Sequence, residues 1–227
     1  METSNPATRE EAAKILLETK SVLFNAEKPF VFTSGRLSPV YVDIRRLIAF
    51  PDARKRLMDM AADILGKLDI DYMAGGETAG IPYAAFIAER LHKPMLYVRK
   101  KPKGFGRMAQ IEGALEEDHP KVALIEDLQT DGGSKKVFID VLREAGATVE
   151  HSFVVFHYGN FPQSLENMKE LGVQLHALTD WWAVLEAARM SDVFSRETLA
   201  SVEFFLKNPD EWATQNAHLA EAKSSNG

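Results

Sequence analysis

The 227 residues are 45% hydrophobic and 26% charged, a balance that suits one soluble globular domain with a sizeable core. A net charge of −6 without long blocks of like charge argues against nucleic acid or an anionic membrane as a main partner, and no apolar run approaches the roughly 18 residues of a membrane span. There is no cysteine, which excludes disulfides, thiolate nucleophiles and cysteine-ligated zinc; with a polar, acidic start that does not read as a secretory signal, this fits a cytoplasmic enzyme.

Thr8-x-x-Glu11 has the form of a capping box ahead of Ala12, Ile15 and Leu16, and predicts a first helix. Short apolar pieces at 22–24 and 30–33 flank Lys28-Pro29 and read as a hairpin, and 41–44 reads as another short strand. Pro51 opens a helix over 51–67, in which Leu57, Met60, Ala61, Ile64, Leu65 and Leu68 recur at helical spacing. Strands are expected at about 71–75, 94–98, 122–126, 149–156 and 173–178, and helices between them at about 80–92, 134–145 and 162–171. Two helices, at about 180–190 and 195–207, then close the domain, and 217–227 reads as a frayed tail. Strands alternating with helices give an α/β fold, a central, mainly parallel sheet with helices on both faces. Ligands of such sheets bind at the carboxyl ends of the strands, where the 76–80 and 127–134 loops fall. The long charged stretch 99–120 lies between two good strands, and loops of that length are functional or disordered.

The most informative stretch is 121–147, KVALIEDLQTDGGSKKVFIDVLREAGA. Apolar residues 122–125 run into two adjacent carboxylates, Glu126 and Asp127, and Leu128 and Gln129 lead to a polar loop, Thr130, Asp131, Gly132, Gly133 and Ser134. An amphipathic helix follows, with Gly146 as its C-cap. A buried strand, Gly-rich loop and helix start suit a sugar phosphate, because free backbone N–H groups bind a phosphate dianion and glycines let the backbone come close. The carboxylates, one loop away, can accept hydrogen bonds from vicinal ribose hydroxyls or hold a divalent cation. The plainer reading, that they cap a turn, leaves the glycines and hydroxyls behind them unexplained. Asp131 is awkward, since a carboxylate beside a phosphate repels it unless it points away, helps hold a cation or is protonated. Arg99, Lys100, Lys101 and Lys103 could form a solvated face, yet on a long loop with Gly104 and Gly106 as hinges they suit a departing diphosphate. GGETAG at 75–80 is not GxGxxG and no GK[ST] occurs, so neither a dinucleotide site nor a Walker-type NTPase is supported. The six histidines show no metal-site spacing, and Trp181-Trp182 reads as core or interface.

The 121–147 stretch resembles the phosphoribosyl diphosphate (PRPP) signature of type I phosphoribosyltransferases, and most nearly the orotate phosphoribosyltransferases. Three more segments resemble that family in its order and spacing: FTSGRLSP at 32–39, GGETAGIP at 75–82 and VRKKPKGFG at 98–106. The likeness spans roughly residues 10–215. It implies a type I phosphoribosyltransferase-like α/β fold, one domain over 1–227 with a small N-terminal hood at about 20–45, a mobile loop at about 99–115 and C-terminal helices at about 180–207. It also implies transfer of phosphoribosyl from PRPP to orotate, giving orotidine 5′-monophosphate and pyrophosphate in UMP synthesis, by a homodimer whose mobile loop reaches the partner's site. Arg99, Lys100 and Lys103 would be catalytic cations, and Glu126, Asp127, Leu128, Gln129, Thr130, Asp131, Gly132, Gly133 and Ser134 would bind PRPP. Glu77, Thr78, Ala79 and Gly80 would contact pyrophosphate, and Thr130, Tyr41 and Tyr158 would face orotate, with Tyr41 stacked on it. No residue would ligate metal directly; Mg²⁺ would arrive with PRPP and meet Glu126 and Asp127 through water. Three positions depart from the family pattern: Thr33 and Tyr158 stand where Lys and Arg are common, and Phe105 where the loop often has His. The Tyr158 departure touches base identity, because a carboxylate in a pocket wants an Arg or backbone N–H donors, which the hood could supply. Two other readings are a phosphoribosyltransferase for another nucleobase and a PRPP-sensing regulator without catalysis. Such a regulator usually carries a nucleic-acid module or basic surface, and this sequence has neither.

Overall fold

The computed structural model describes residues 2–3, 5–32, 36–104 and 110–219. The hood positions Thr33, Ser34 and Gly35, the loop positions Phe105 and Gly106, and most of the expected tail lie outside them. In chain order the elements are β1 (Glu2–Thr3), α1 (Pro6–Glu18), β2 (Val22–Phe24), β3 (Phe30–Val31), β4 (Leu37–Ser38), β5 (Val40–Val42), a 3-10 helix (Ile44–Ala49) and α2 (Pro51–Leu65). There follow β6 (Tyr72–Gly76), α3 (Gly80–Leu91), β7 (Met95–Val98), β8 (Ile111–Glu112), β9 (Lys121–Gln129), α4 (Lys135–Glu144) and β10 (Thr148–His157). Last come α5 (Pro162–Glu170), β11 (Gln174–Asp180), α6 (Trp181–Arg189), α7 (Arg196–Lys207) and α8 (Pro209–Gln215).

The main sheet has the order β1-β11-β10-β9-β6-β7-β8. It is parallel except for β8, which pairs antiparallel with β7. Alternation along the strands divides the core between the two faces. Met73, Ala123, Ile125, Phe153 and Val155 face α1, α2, α3 and the C-terminal helices, whereas Ala74, Val122, Leu124 and Val154 face α4 and α5. Trp181 is buried in the first layer, as its sequence setting suggested.

Four local expectations are corrected. Lys28-Pro29 does not close a hairpin: β2 pairs with β5 and β3 with β4, so the hood is two nested antiparallel pairs. The strand expected over 41–44 is β5, one residue earlier, and the chain then turns into the 3-10 helix. The first helix is capped by Asn5, whose Oδ1 accepts from Thr8 N at 2.9 Å, with Pro6 in its first turn. Glu11 is then released from any capping box and pairs with Arg56 of α2 at 2.5 Å. The strand expected to end at 126 continues to Gln129, because β10 runs beside it and pairs Glu126 with Val154, Leu128 with Phe156 and Gln129 with His157. The adjacent carboxylates are therefore strand residues and point to opposite faces.

Candidate active site

The extension of β9 decides the partners of its two carboxylates. Glu126 faces the α4 layer and forms an ion pair with Lys135, whose side chain is only 1% exposed. Asp127 faces the hood and lies 3.5 Å from Arg45 of the 3-10 helix. That short helix is pinned by Tyr83 of α3, whose hydroxyl donates to Ile44 O at 2.6 Å. Burial raises the Tyr83 phenol far above its ordinary range, with the carboxylates of Asp127 and Asp43 adding to the shift, so it stays a neutral donor.

Between these pairs lies a cavity of about 370 Å³, lined by residues 41–45, 76–80 and 126–128, with Lys100, Ser134 and Phe138. The chain can pack this tightly around it only because Gly80 lacks a side chain; a Cβ there would lie 2.2 Å from Ile125 O. Gly80 also opens α3, so the backbone N–H groups of that helix start adjoin the cavity, a setting that favours an anion. Glu77 caps the far wall: its Oε2 accepts from Lys100 N at 2.7 Å.

The 130–134 loop is held from behind by α5. Asn167 Nδ2 donates to Asp131 O at 2.8 Å, and Ser164 bonds both Gln129 Nε2 and His157 Nε2 at 2.8 Å. Gly132 has φ +81°, a left-handed turn that brings the loop over the Gln129 amide. Asp131 is accounted for: its Oδ1 accepts from Gly133 N at 3.0 Å and closes the turn internally.

A second cavity, about 230 Å³, lies across the hood strand. Val40 and Tyr41 are consecutive on β5, and Val40 lines the second cavity while Tyr41 lines the first. Thr130 and Tyr158 line the second, together with Phe32, Phe161 and the C-terminal residues Phe205 and Pro209. Tyr158 packs against Phe156, Phe161 and Trp181, with ring centroids 5.6–6.0 Å apart. Its phenol is pushed up to about 12 by burial.

Of the residues expected from sequence, Glu77, Thr78, Ala79, Gly80, Lys100, Glu126, Asp127, Leu128, Ser134 and Tyr41 come together at the first cavity, and Thr130 and Tyr158 at the second. Gln129 is buried, and Gly132 and Gly133 line a shallow cleft between α4 and α5. Arg99 and Lys103 line neither cavity and lie 3.6 and 3.8 Å from Glu112. Sequence reasoning missed Lys135 and Arg45. Lys135 follows the glycine loop and looks like a solvated first-turn residue, and Arg45 falls just past a strand. Only the tertiary placement of the acidic pair makes them partners.

A mainly parallel sheet with a hood, an acidic pair on a strand running into a Gly-rich loop, and paired cavities at the strand ends define a type I phosphoribosyltransferase fold. No family model matches the chain. It is 52% identical over 209 residues to the orotate phosphoribosyltransferase of Ruegeria sp. (strain TM1040), covering 90% of this chain and 92% of that one. Among solved structures it is similar to orotate phosphoribosyltransferase from Aeropyrum pernix, with TM-score 0.67 and 33% identity, over 79% of this chain and 98% of that one. It is also similar to UMP synthase of Leishmania donovani, with TM-score 0.73 and 28% identity; the match covers 87% of this chain but 42% of that longer protein. The chain belongs to the orotate phosphoribosyltransferase family.

Proposed function

We propose that this protein transfers the phosphoribosyl group of PRPP to N1 of orotate, releasing pyrophosphate and forming orotidine 5′-monophosphate in UMP synthesis. The observation that carries this reading is a polar cavity walled by Glu126, Asp127, Arg45 and Lys100, adjoining a smaller, mostly apolar cavity across the ends of β5 and β9. The first suits a charged donor and the second a flat base. During reaction the bond from ribose C1 to the diphosphate breaks as the C1–N1 bond forms, with loss of the N1 proton.

Asp127 and Glu126 bind the ribose hydroxyls, and Arg45 and Lys135 hold the two carboxylates oriented. The 130–134 loop receives the 5′-phosphate, and the start of α3 receives the diphosphate. The Asp127 carboxylate beside the first cavity would meet, through water, an Mg²⁺ carried on the diphosphate. Bound there, Mg²⁺ neutralises charge that builds on the leaving pyrophosphate.

Lys100 serves its own cavity, whereas Arg99 and Lys103 act across a homodimer, which their placement outside both cavities supports. The hood at about 20–45, the loop at about 99–115 and the helices at about 180–207 are working parts of one domain. No helix among the described residues is long and apolar enough to cross a membrane, and the cysteine-free composition supports a cytoplasmic location. The test is to incubate the protein with Mg²⁺, PRPP and each nucleobase in turn. Orotate should be consumed only when both PRPP and Mg²⁺ are present; consumption of uracil or a purine in its place would overturn the base assignment.

A further inference from the structure

The proposed reaction gives no role to a chain of three buried polar side chains behind the 130–134 loop: Gln129 at the end of β9, Ser164 of α5 and His157 at the end of β10. Gln129 Nε2 donates to Ser164 Oγ at 2.8 Å, and Ser164 Oγ lies 2.8 Å from His157 Nε2. Having accepted from the amide, the hydroxyl still has its own proton to give, and a neutral imidazole with Nε2 bare receives it. Burial keeps the ring in that neutral state, reinforced by Lys135 of α4 and opposed by the Asp180 carboxylate of β11. Gln129 Oε1 and His157 Nδ1 have no hydrogen-bond partner among the described residues, so the Ser164 hydroxyl is what satisfies either side chain. Such a chain costs more desolvation than an apolar contact, and one turn further along the same face of α5 Met168 packs on the sheet with an apolar side chain. A fully bonded polar network rigidifies what it touches, and this one touches the loop. Gly132, at φ +81°, lies over the Gln129 amide so closely that a Cβ would come within 3.0 Å of Nε2; the amide is the floor of the turn. Asn167, three residues beyond Ser164 on α5, donates to Asp131 O at 2.8 Å and grips its rim.

We infer that Gln129, Ser164, His157 and Asn167 are positioning residues for the sugar-phosphate end of PRPP: the buried relay and the Asn167 clasp fix the 130–134 backbone in the shape that receives the 5′-phosphate. This rests on the reading of that loop as the seat of the 5′-phosphate. That group lies away from the bond that breaks at C1 and is held alike before and during reaction. Loss of the relay therefore falls on the KM for PRPP and leaves kcat in place.

The test uses Ser164→Ala, Asn167→Ala, His157→Leu and His157→Gln in the full-length chain with Mg²⁺, PRPP and orotate. Measured are kcat, the KM for PRPP and for orotate, and the inhibition constants of ribose 5-phosphate and of pyrophosphate, the two halves of PRPP. Ser164→Ala and His157→Leu should raise the PRPP KM and the ribose 5-phosphate constant about 5- to 30-fold, while kcat, the orotate KM and the pyrophosphate constant stay within about twofold. Asn167→Ala, at a half-buried position, should show the same pattern at about 3- to 10-fold, and it carries the test if a core variant does not fold. His157→Gln should stay within about threefold of wild type, because its amide oxygen replaces Nε2 as the acceptor. An unchanged ribose 5-phosphate constant in the folded variants would overturn the inference. So would a loss shared equally with pyrophosphate, the mark of general destabilisation, or a His157→Gln protein no better than His157→Leu. Failure of the wild-type protein to consume orotate with PRPP would instead overturn the parent reading, so the two failures are separable.

Discussion

Glu126 and Asp127 are neighbours in sequence, yet their side chains answer to different physics. Glu126 shares a nearly dry contact with Lys135, and removing one member of such a pair strands the other charge. Lys135→Ala should therefore cost about 3–5 kcal/mol of stability. Calorimetry should show Tm falling by about 2–4 °C for each kcal/mol lost. Asp127 faces a mostly exposed arginine and the open cavity, so Asp127→Asn should change stability by less than about 1 kcal/mol. The same variant should weaken PRPP binding by about 1–3 kcal/mol, measured by titration; equal losses of stability and binding would make Asp127 structural. His157 gives a pH dependence of known sign. Burial depresses its pKa, opposed by the Asp180 carboxylate and reinforced by Lys135. The unfolded chain therefore takes up a proton, near pH 6.5, that the folded protein refuses. The stability contributed is full above that pH and is lost as pH falls toward the lower folded value. His157→Gln should flatten the decline of Tm between about pH 6.5 and 5 relative to wild type; parallel Tm curves would exclude the residue as the source.

Among the elements, legibility in the sequence followed how much of each element's structure is local. Helix α2 and strands β6, β7 and β9 announce themselves through Pro51, helical apolar spacing and unbroken apolar runs, and they lie within a few residues of expectation. The hood pairing was misread because strands of two or three residues carry too little pattern to name their partners; β2 pairs with β5, beyond two intervening strands. The role of Asp131 stayed hidden because an internal turn bond and a ligand contact demand the same residue type. Lys135 could not be anticipated because burial of a lysine depends on a partner nine residues earlier. Lys103 is a residue whose chemistry is separable from its packing. Lys103 is 72% exposed at its side chain, so Lys103→Ala should leave Tm unchanged. It should also lower kcat by about 10²-fold or more with little change in the KM for PRPP, the pattern of a charge that acts mainly in the transition state. If the loop acts across the dimer, mixing Lys103→Ala with Asp127→Asn subunits should restore activity, since one site of a mixed dimer would carry both native residues. No recovery despite demonstrated subunit exchange would confine the loop to its own subunit.

For the molecule as a whole, the sheet distributes the work between its faces. The Lys135 contact to Glu126 and the α5 clasp on the 130–134 loop belong to the layer of α4 and α5, whereas the hood, α7 and α8 belong to the other. The second cavity is assembled from residues 32, 36, 38, 40, 130, 158, 160, 161, 205 and 209, so segments near both ends of the chain converge on it. The first cavity draws almost wholly on residues 41–138. On the proposed assignment of the cavities, donor and acceptor recognition are thus written in different stretches of the gene. Substitutions confined to the outer stretches could retune which base is accepted while inheriting an intact machine for PRPP, a route by which one scaffold could acquire new acceptors without first losing its donor.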